Sequence, residues 1–236
     1  MWRSASPITG ILAHDAAFGA FSHSPRRAGY NRRVIPAVVL AAGKSTRMGQ
    51  PKATLPLEGA ETFLTRIVRV FQDAEVEDVV VVVGHEAKSV TDCIVRSGLA
   101  TRLVVNGDYE SGQLSSLLAG LRAIDRPGVS AMLLTLVDVP LVSAATIRAV
   151  VERYRTTRAS IVRPVQRGRH GHPVLIDRSL FDALRAADQS LGAKPIVRAH
   201  ASPAGDVETD DEGAFLDIDT PDDYLRVLDR LKPDRP

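Results

Sequence analysis

From Val34 onward, short β-branched runs alternate with segments whose apolar residues return every three or four positions. A continuous apolar run of four to eight residues suits a strand buried on both faces, whereas the 3.6-residue return suits a helix with one apolar stripe. On that basis "VIPAVVLAAG" (34–43) is a buried strand and "TFLTRIVRVFQDA" (62–74) an amphipathic helix. "EDVVVVVGH" (77–85) is the strongest strand in the chain, and a helix near 87–96 follows it. "TRLVVN" is the next strand, "GQLSSLLAGLRAI" a helix, and "AMLLTLVDVP" a strand stopped by Pro140 ahead of a helix over 144–154. Strands and helices alternating in this way need crossover connections, which are right-handed, and so predict an α/β fold with a mainly parallel sheet. The first three strand–helix pairs form a nucleotide-binding half.

Beyond residue 154 the spacing becomes less regular. "SIVRPV" and "HPVLID" read as strands around a basic loop, with helices near 180–187 and 193–199. Acidic "GDVETDDEG" (205–213) reads as a solvated turn between short strands, "AFLDID" (214–219) as a last strand, and "TPDDYLRVLDRL" (220–231) as a closing helix. Thr220 is placed to N-cap that helix, with Pro221 at its first position. With no internal repeat and no flexible linker in view, 34–236 reads as a single domain.

Composition changes this picture at one end. Five arginines against one aspartate give the segment before Val34 a charge of +4, so of the net +2 the remainder carries −2. The basic balance belongs to residues 1–33, and a nucleic-acid-binding body is not indicated. That segment lacks clear periodicity and a signal-type apolar core, and is expected to be a disordered N-terminal extension or the product of a start codon assigned too far upstream. No apolar run approaches the roughly 18 residues that span a bilayer. A lone Cys93 rules out an internal disulfide framework, agrees with a reducing compartment, and leads us to expect a cytoplasmic location.

The chemistry concentrates in "VVLAAGKSTRMGQPK" (38–52). Its Gly-Lys-Ser letters resemble the close of a P-loop, but the position reserved for that motif's first glycine is Val38, inside the strand. The dinucleotide fingerprint fails as well, since no second glycine follows Gly43 in step. What remains is a strand ending in Leu40-Ala41-Ala42-Gly43 and a polar loop with Ser45, Lys44, Arg47 and Lys52 and no acid. Small residues let backbone amides approach an anion, and the cations neutralise a polyphosphate. The competing reading is a surface turn with solvated charges.

"LAAGKSTRMGQPK" is similar to the signature of nucleotidyltransferases of the molybdopterin-transferase type, and its Ala-Ala-Gly form resembles the molybdenum cofactor cytidylyltransferases more than the guanylyltransferases. The likeness extends through "SGQLSSLLAG", "LVDVP", "GRHGHPVL" and "DIDTPDD" in order, covering roughly 36–231. It implies a three-layer, Rossmann-like nucleotidyltransferase fold and transfer of a nucleoside monophosphate, CMP from CTP most closely, to molybdopterin with release of pyrophosphate. It further implies Mg2+ as cofactor and a molybdoenzyme as a partner receiving the product. No nucleic acid or membrane partner is implied.

By this resemblance Leu40 to Gly43, Ser45, Arg47 and Lys52 hold the triphosphate, and Arg47 and Lys52 stabilise charge on the leaving pyrophosphate. Asp138, at the carboxyl end of a buried strand, is a metal ligand and the third catalytic group. Asp217 and Asp219 share a face of the expected last strand, since alternate residues do, and Asp219 matches the second metal-side position. Gly112, Gln113, Ser115 and Ser116 open a helix where amides and hydroxyls can read a base or hold a ribose, or merely cap the helix. Arg169, His170, Gly171 and His172 mark the acceptor side, and two histidines without a thiol make a poor zinc site. A phosphate acceptor is already ionised at neutral pH, which agrees with the lack of a Ser-His-Asp order or an activated Cys.

Two other readings stand beside this one. A sugar phosphate or methylerythritol phosphate can replace the acceptor, although the His-Asp-Ala-Ala-Arg segment usual in the latter enzymes is absent after the fourth strand. A non-catalytic nucleotide- or cofactor-binding module is the third.

Overall fold

The computed structural model describes residues 33–231; the expectation for the N-terminal extension falls on residues outside that range. An eight-stranded sheet organises the described residues. Strands β1 (Ala37–Ala41), β2 (Val79–Val83), β3 (Arg102–Val105) and β4 (Ala131–Leu136) run parallel in the order β3-β2-β1-β4. Beyond β4, β7 (Val174–Asp177) pairs antiparallel with it, β5 (Ile161–Gln166) pairs antiparallel with β7 and so runs with the parallel strands again, and the short β6 (Arg169–His170) forms a hairpin with β5. Order 3-2-1-4 places a switch in connection direction between β1 and β4, the point where open α/β sheets bind ligands at their strand carboxyl ends.

Sequence period explains the layering. In β1 alternate residues face opposite sides, so Ala37, Val39 and Ala41 join one apolar core and Val38 and Leu40 another. The first core is covered by α1 (Phe63–Asp73), α2 (Ala87–Ser97) and α4 (Ala144–Thr157). The second is covered by α3 (Gln113–Ile124), α5 (Phe181–Arg185) and α6 (Lys194–His200). β2 is five fully buried valines, as expected of a strand packed on both faces. The expected mainly parallel, three-layer α/β architecture is therefore the observed one.

Two local expectations are corrected. "AFLDID" is not a strand: residues 212–215 form a 3-10 turn and 216–219 run on without ladder partners. The acidic 205–213 stretch is more than a solvated turn, because β8 (Asp206–Glu208) pairs parallel with β5, burying Val207. Both outcomes were settled by which backbone lay free beside the sheet, a non-local matter. Closing helix α7 (Pro221–Leu231) does begin as expected: Asp223 N donates to Thr220 Oγ1 at 3.2 Å, and Thr220 N donates back to the Asp223 carboxylate at 2.9 Å. This is a reciprocal cap.

Candidate active site

The loop after β1 is shaped by its backbone. Ser45 adopts φ 49°, residues Thr46–Met48 make one 3-10 turn, and Gly49 at φ 68° ends it. Lys52 N donates to Ser45 Oγ at 3.1 Å, which closes the loop on itself and turns the Lys52 side chain inward, only 10% exposed. Arg47 stays 64% exposed on the rim. A Cβ at Gly43 would meet no protein atom within 4 Å, so its small size leaves open space rather than satisfying packing.

Two other segments meet this loop. β4 ends at Leu136, and Asp138 follows at the switch point, Val137 N donating to Leu40 O at 3.1 Å. The strap 212–219 crosses beside it, tied by Ile218 N to Asp138 O at 2.8 Å. Ile218 is fully buried and Asp217 is exposed, so side chains still alternate along the strap although no ladder holds it. Lys52 Nζ lies 2.6 Å from Asp219 Oδ1 and 3.4 Å from Asp138 Oδ2, and Arg47 Nη2 lies 2.9 Å from Asp219 Oδ2. A cavity of about 380 Å³ opens on these groups. Of the residues expected at the nucleotide and metal, Leu40, Ala41, Ala42, Gly43, Ser45, Arg47, Lys52, Gly112, Gln113, Ser116, Asp138 and Asp219 line it.

The charges set one another. The hydrogen bond from Lys52, joined by Arg47, holds the Asp219 carboxyl below the ordinary carboxylate range. Desolvation first, then the Asp138 charge, pushes Asp217 the other way. Among the described residues no cluster of three or more His, Cys, Asp or Glu side chains forms a metal cage. Asp138 Oδ1, however, is buried with no hydrogen-bond partner, an acceptor left short in the chain by itself. Carboxylate oxygens beside a loop that carries cationic groups are the donor set of a hard divalent cation that takes its other ligands from phosphates and water. The residues present fit such an ion.

At the first turn of α3 the structure shows a residue that the sequence reading missed. Asn106, directly after β3, is 5% exposed and donates through Nδ2 to Ser115 Oγ at 2.8 Å and Ser116 Oγ at 3.0 Å. The hydroxyl of Ser115 is thereby turned away from the cleft, and Ser115 is not among its lining residues. In sequence Asn106 reads as the last residue of the strand "TRLVVN"; nothing local reports partners nine and ten residues away. Tyr109, also unexpected, lines the cleft with Gly112 and Gln113.

The expected acceptor residues are outside that cavity's lining. Arg169 Nη2 donates to Phe215 O at 2.8 Å, with its guanidinium 5.7 Å from the Phe215 ring centre, so it braces the strap. Gly171 is buried against the same strap: a Cβ there would fall 2.3 Å from Ala214 O. His172 N donates to Ala214 O at 2.8 Å, its ring lies in the field of Asp138 and Asp217, and burial lowers its pKa below the usual imidazole value. His170 is exposed on β6.

Comparison with known proteins gives these observations a setting. Residues 37–204 match the family described as MobA-like NTP transferase domain. The chain is 31% identical over 201 residues to nicotine blue oxidoreductase of Paenarthrobacter nicotinovorans, covering 82% of this chain and 96% of the relative. It is 27% identical over 198 residues to molybdenum cofactor cytidylyltransferase of Escherichia coli K12, covering 83% and 96%. Rv0371c from Mycobacterium tuberculosis H37Rv superposes with a TM-score of 0.70 at 29% identity, covering 85% of this chain and all of that one. A second crystal structure of Rv0371c, in complex with manganese, superposes with a TM-score of 0.67 at 27% identity, covering 84% and 100%. The relatives differ in named reaction, so the family match supports a nucleotidyltransferase without selecting its substrate.

Proposed function

The chain belongs to the MobA-like NTP transferase family, and from that premise we propose that it is a magnesium-dependent cytidylyltransferase carrying CMP from CTP to molybdopterin, with pyrophosphate released. The observation that carries this is the meeting of Arg47, Lys52, Asp138 and Asp219 over one cavity, from three segments far apart in sequence. The Ala-Ala-Gly form of the first loop and the cytidylyltransferase relative support CTP and molybdopterin over other pairs.

In this reading the acceptor phosphate oxygen forms a bond to the α-phosphorus while the bond from that phosphorus to the bridging oxygen breaks. The electron pair leaves with pyrophosphate. Asp138 and Asp219 would hold the divalent ion, which when bound supplies charge neutralisation across the phosphates. Lys52 and Arg47 now pair with Asp219, and phosphate oxygens can replace that carboxylate as their partner at little cost in the same cleft. Their positive charge then faces the leaving group, where it stabilises the transition state more than the ground state. The acceptor enters by the side bordered by Asp217, His172 and the β6 hairpin, with Arg169 keeping the strap in place. No base is required, because the acceptor's second phosphate pKa of about 6 leaves it ionised at neutral pH.

The test is a panel of CTP, GTP and ATP with magnesium, assayed for pyrophosphate release with and without molybdopterin. Release with CTP that depends on molybdopterin is expected. Release independent of molybdopterin but dependent on a sugar phosphate moves the acceptor; no release with any pair removes the catalytic reading.

A further inference from the structure

We infer that Asn106 is a positioning residue that sets nucleoside selection in this cleft, an inference resting on the nucleotidyltransferase reading above. Asn106 continues the register of β3, its N–H donating to Val83 O at 2.8 Å, and its side chain turns into the protein where water does not reach. There the amide is used on both ends. Oδ1 accepts from Asp108 N at 3.0 Å, while Nδ2 supplies the two hydroxyls of the first turn of α3. Ser115 Oγ in turn lies 2.8 Å from Asp108 O, which closes a ring of hydrogen bonds around residues 106–116.

That ring is the buried part of what holds the segment; its other ties, Gln189 Nε2 to Ser111 O and Lys44 to Glu110, lie at the exposed surface. Gly112, the N-cap of α3, has φ 107° and ψ 178°, a conformation open to glycine, and it offers no side chain to the helix's first amides. Tyr109, Gly112 and Gln113 line the cleft. A triphosphate on the Gly43–Lys52 loop therefore directs its nucleoside toward backbone and side-chain groups whose positions Asn106 determines. Buried amide networks of this kind confer a single arrangement when fully satisfied and lose it when one member is removed. A loosened segment must be ordered by the ligand itself, which weakens binding of the part it touches. The loop meets this segment at the exposed Lys44–Glu110 ion pair, whose side chains take no part in the Asn106 ring, so binding of the phosphates should change little.

Asn106→Ala is tested by binding of CTP and of inorganic triphosphate, each with manganese, by calorimetry. Nucleotide affinity should fall about tenfold or more, equal to about 1.4 kcal/mol, while inorganic triphosphate affinity stays within about twofold. In the turnover assay KM should rise with kcat within about threefold, and the preference between bases should shrink by about fivefold or more. Asn106→Asp keeps the acceptor for Asp108 N and lets the serine hydroxyls donate instead, so it should recover part of the preference. Should Asn106→Ala fail to fold, Ser116→Ala removes one partner of the amide and should move nucleotide affinity the same way by a smaller factor. Equal weakening of nucleotide and inorganic triphosphate, or an unchanged base preference, overturns the inference. Absence of turnover in the unaltered protein sinks the proposed function instead, and leaves the binding comparison to decide this one.

Discussion

Asp138→Ala separates function from stability in opposite directions. In the resting chain Oδ1 of Asp138 is buried without a partner, and Oδ2 reaches Lys52 only at 3.4 Å. A buried acceptor left short costs about 1–3 kcal/mol. The ion pair returns about 1 kcal/mol at most, because Lys52 is already bonded to Asp219 at 2.6 Å. The like charge of Asp217 nearby opposes the carboxylate further. Deleting the carboxylate should therefore stabilise the ligand-free protein by about 1 kcal/mol, or roughly 2–4 °C in Tm for a domain of this size. Pyrophosphate release should fall by about three orders of magnitude, as expected when charge stabilisation in a transition state is lost. Scanning calorimetry and the release assay read the two effects on one preparation. Adding manganese should raise the Tm of the unaltered protein and leave the variant's unmoved, since only a state that binds is stabilised. A Tm more than about 2 °C lower would refute the argument that Oδ1 is a liability, and turnover within about tenfold of the unaltered protein would remove Asp138 from the metal.

Other outcomes follow from single features. Thr135 is fully buried in β4 and its hydroxyl has no partner, so Thr135→Val should stabilise by about 1 kcal/mol in urea denaturation; destabilisation would mean the hydroxyl is satisfied in solution. Gly120 packs α3 onto the sheet, and an added Cβ would sit 2.4 Å from Val38 Cγ1 and 3.1 Å from Val82 Cγ2. Overpacking of about 1–3 kcal/mol should outweigh the gain of about 1 kcal/mol in helix propensity, so Gly120→Ala should lower stability on the same measurement, and a rise would sink the close-packing account. Hydrogen bonds from Thr220 hold Asp223 at a pKa of about 2 against an ordinary 3.8. A folded-state pKa below the unfolded one adds stability above pH 4 that is lost as pH falls toward 2. Asp223→Asn should flatten that part of the acid denaturation curve, and an unchanged acid limb would count against the cap.

Strand and helix order was readable because each element's apolar period reports which faces are covered, and that property is local. The run of valines in β2, the one-faced α1 and the capped start of α7 needed no tertiary information. The chemistry-bearing loop was readable for the same reason: cations without acids after a buried strand place positive charge at that strand's carboxyl end wherever the sheet goes. Tertiary structure decided the rest. Lys52 meets Asp138 across 86 residues and Asp219 across 167, and no period in the chain encodes such meetings. "AFLDID" has a strand's alternation but found no free edge to pair with, whereas acidic Asp206–Glu208 lay beside β5 and did. Asn106 read as the end of a strand and became the centre of a buried network, and Arg169, read as an acceptor contact, also braces a strap. Composition and period determine which surfaces a segment must hide; which polar group then satisfies which other is fixed only when the chain brings them within hydrogen-bonding distance.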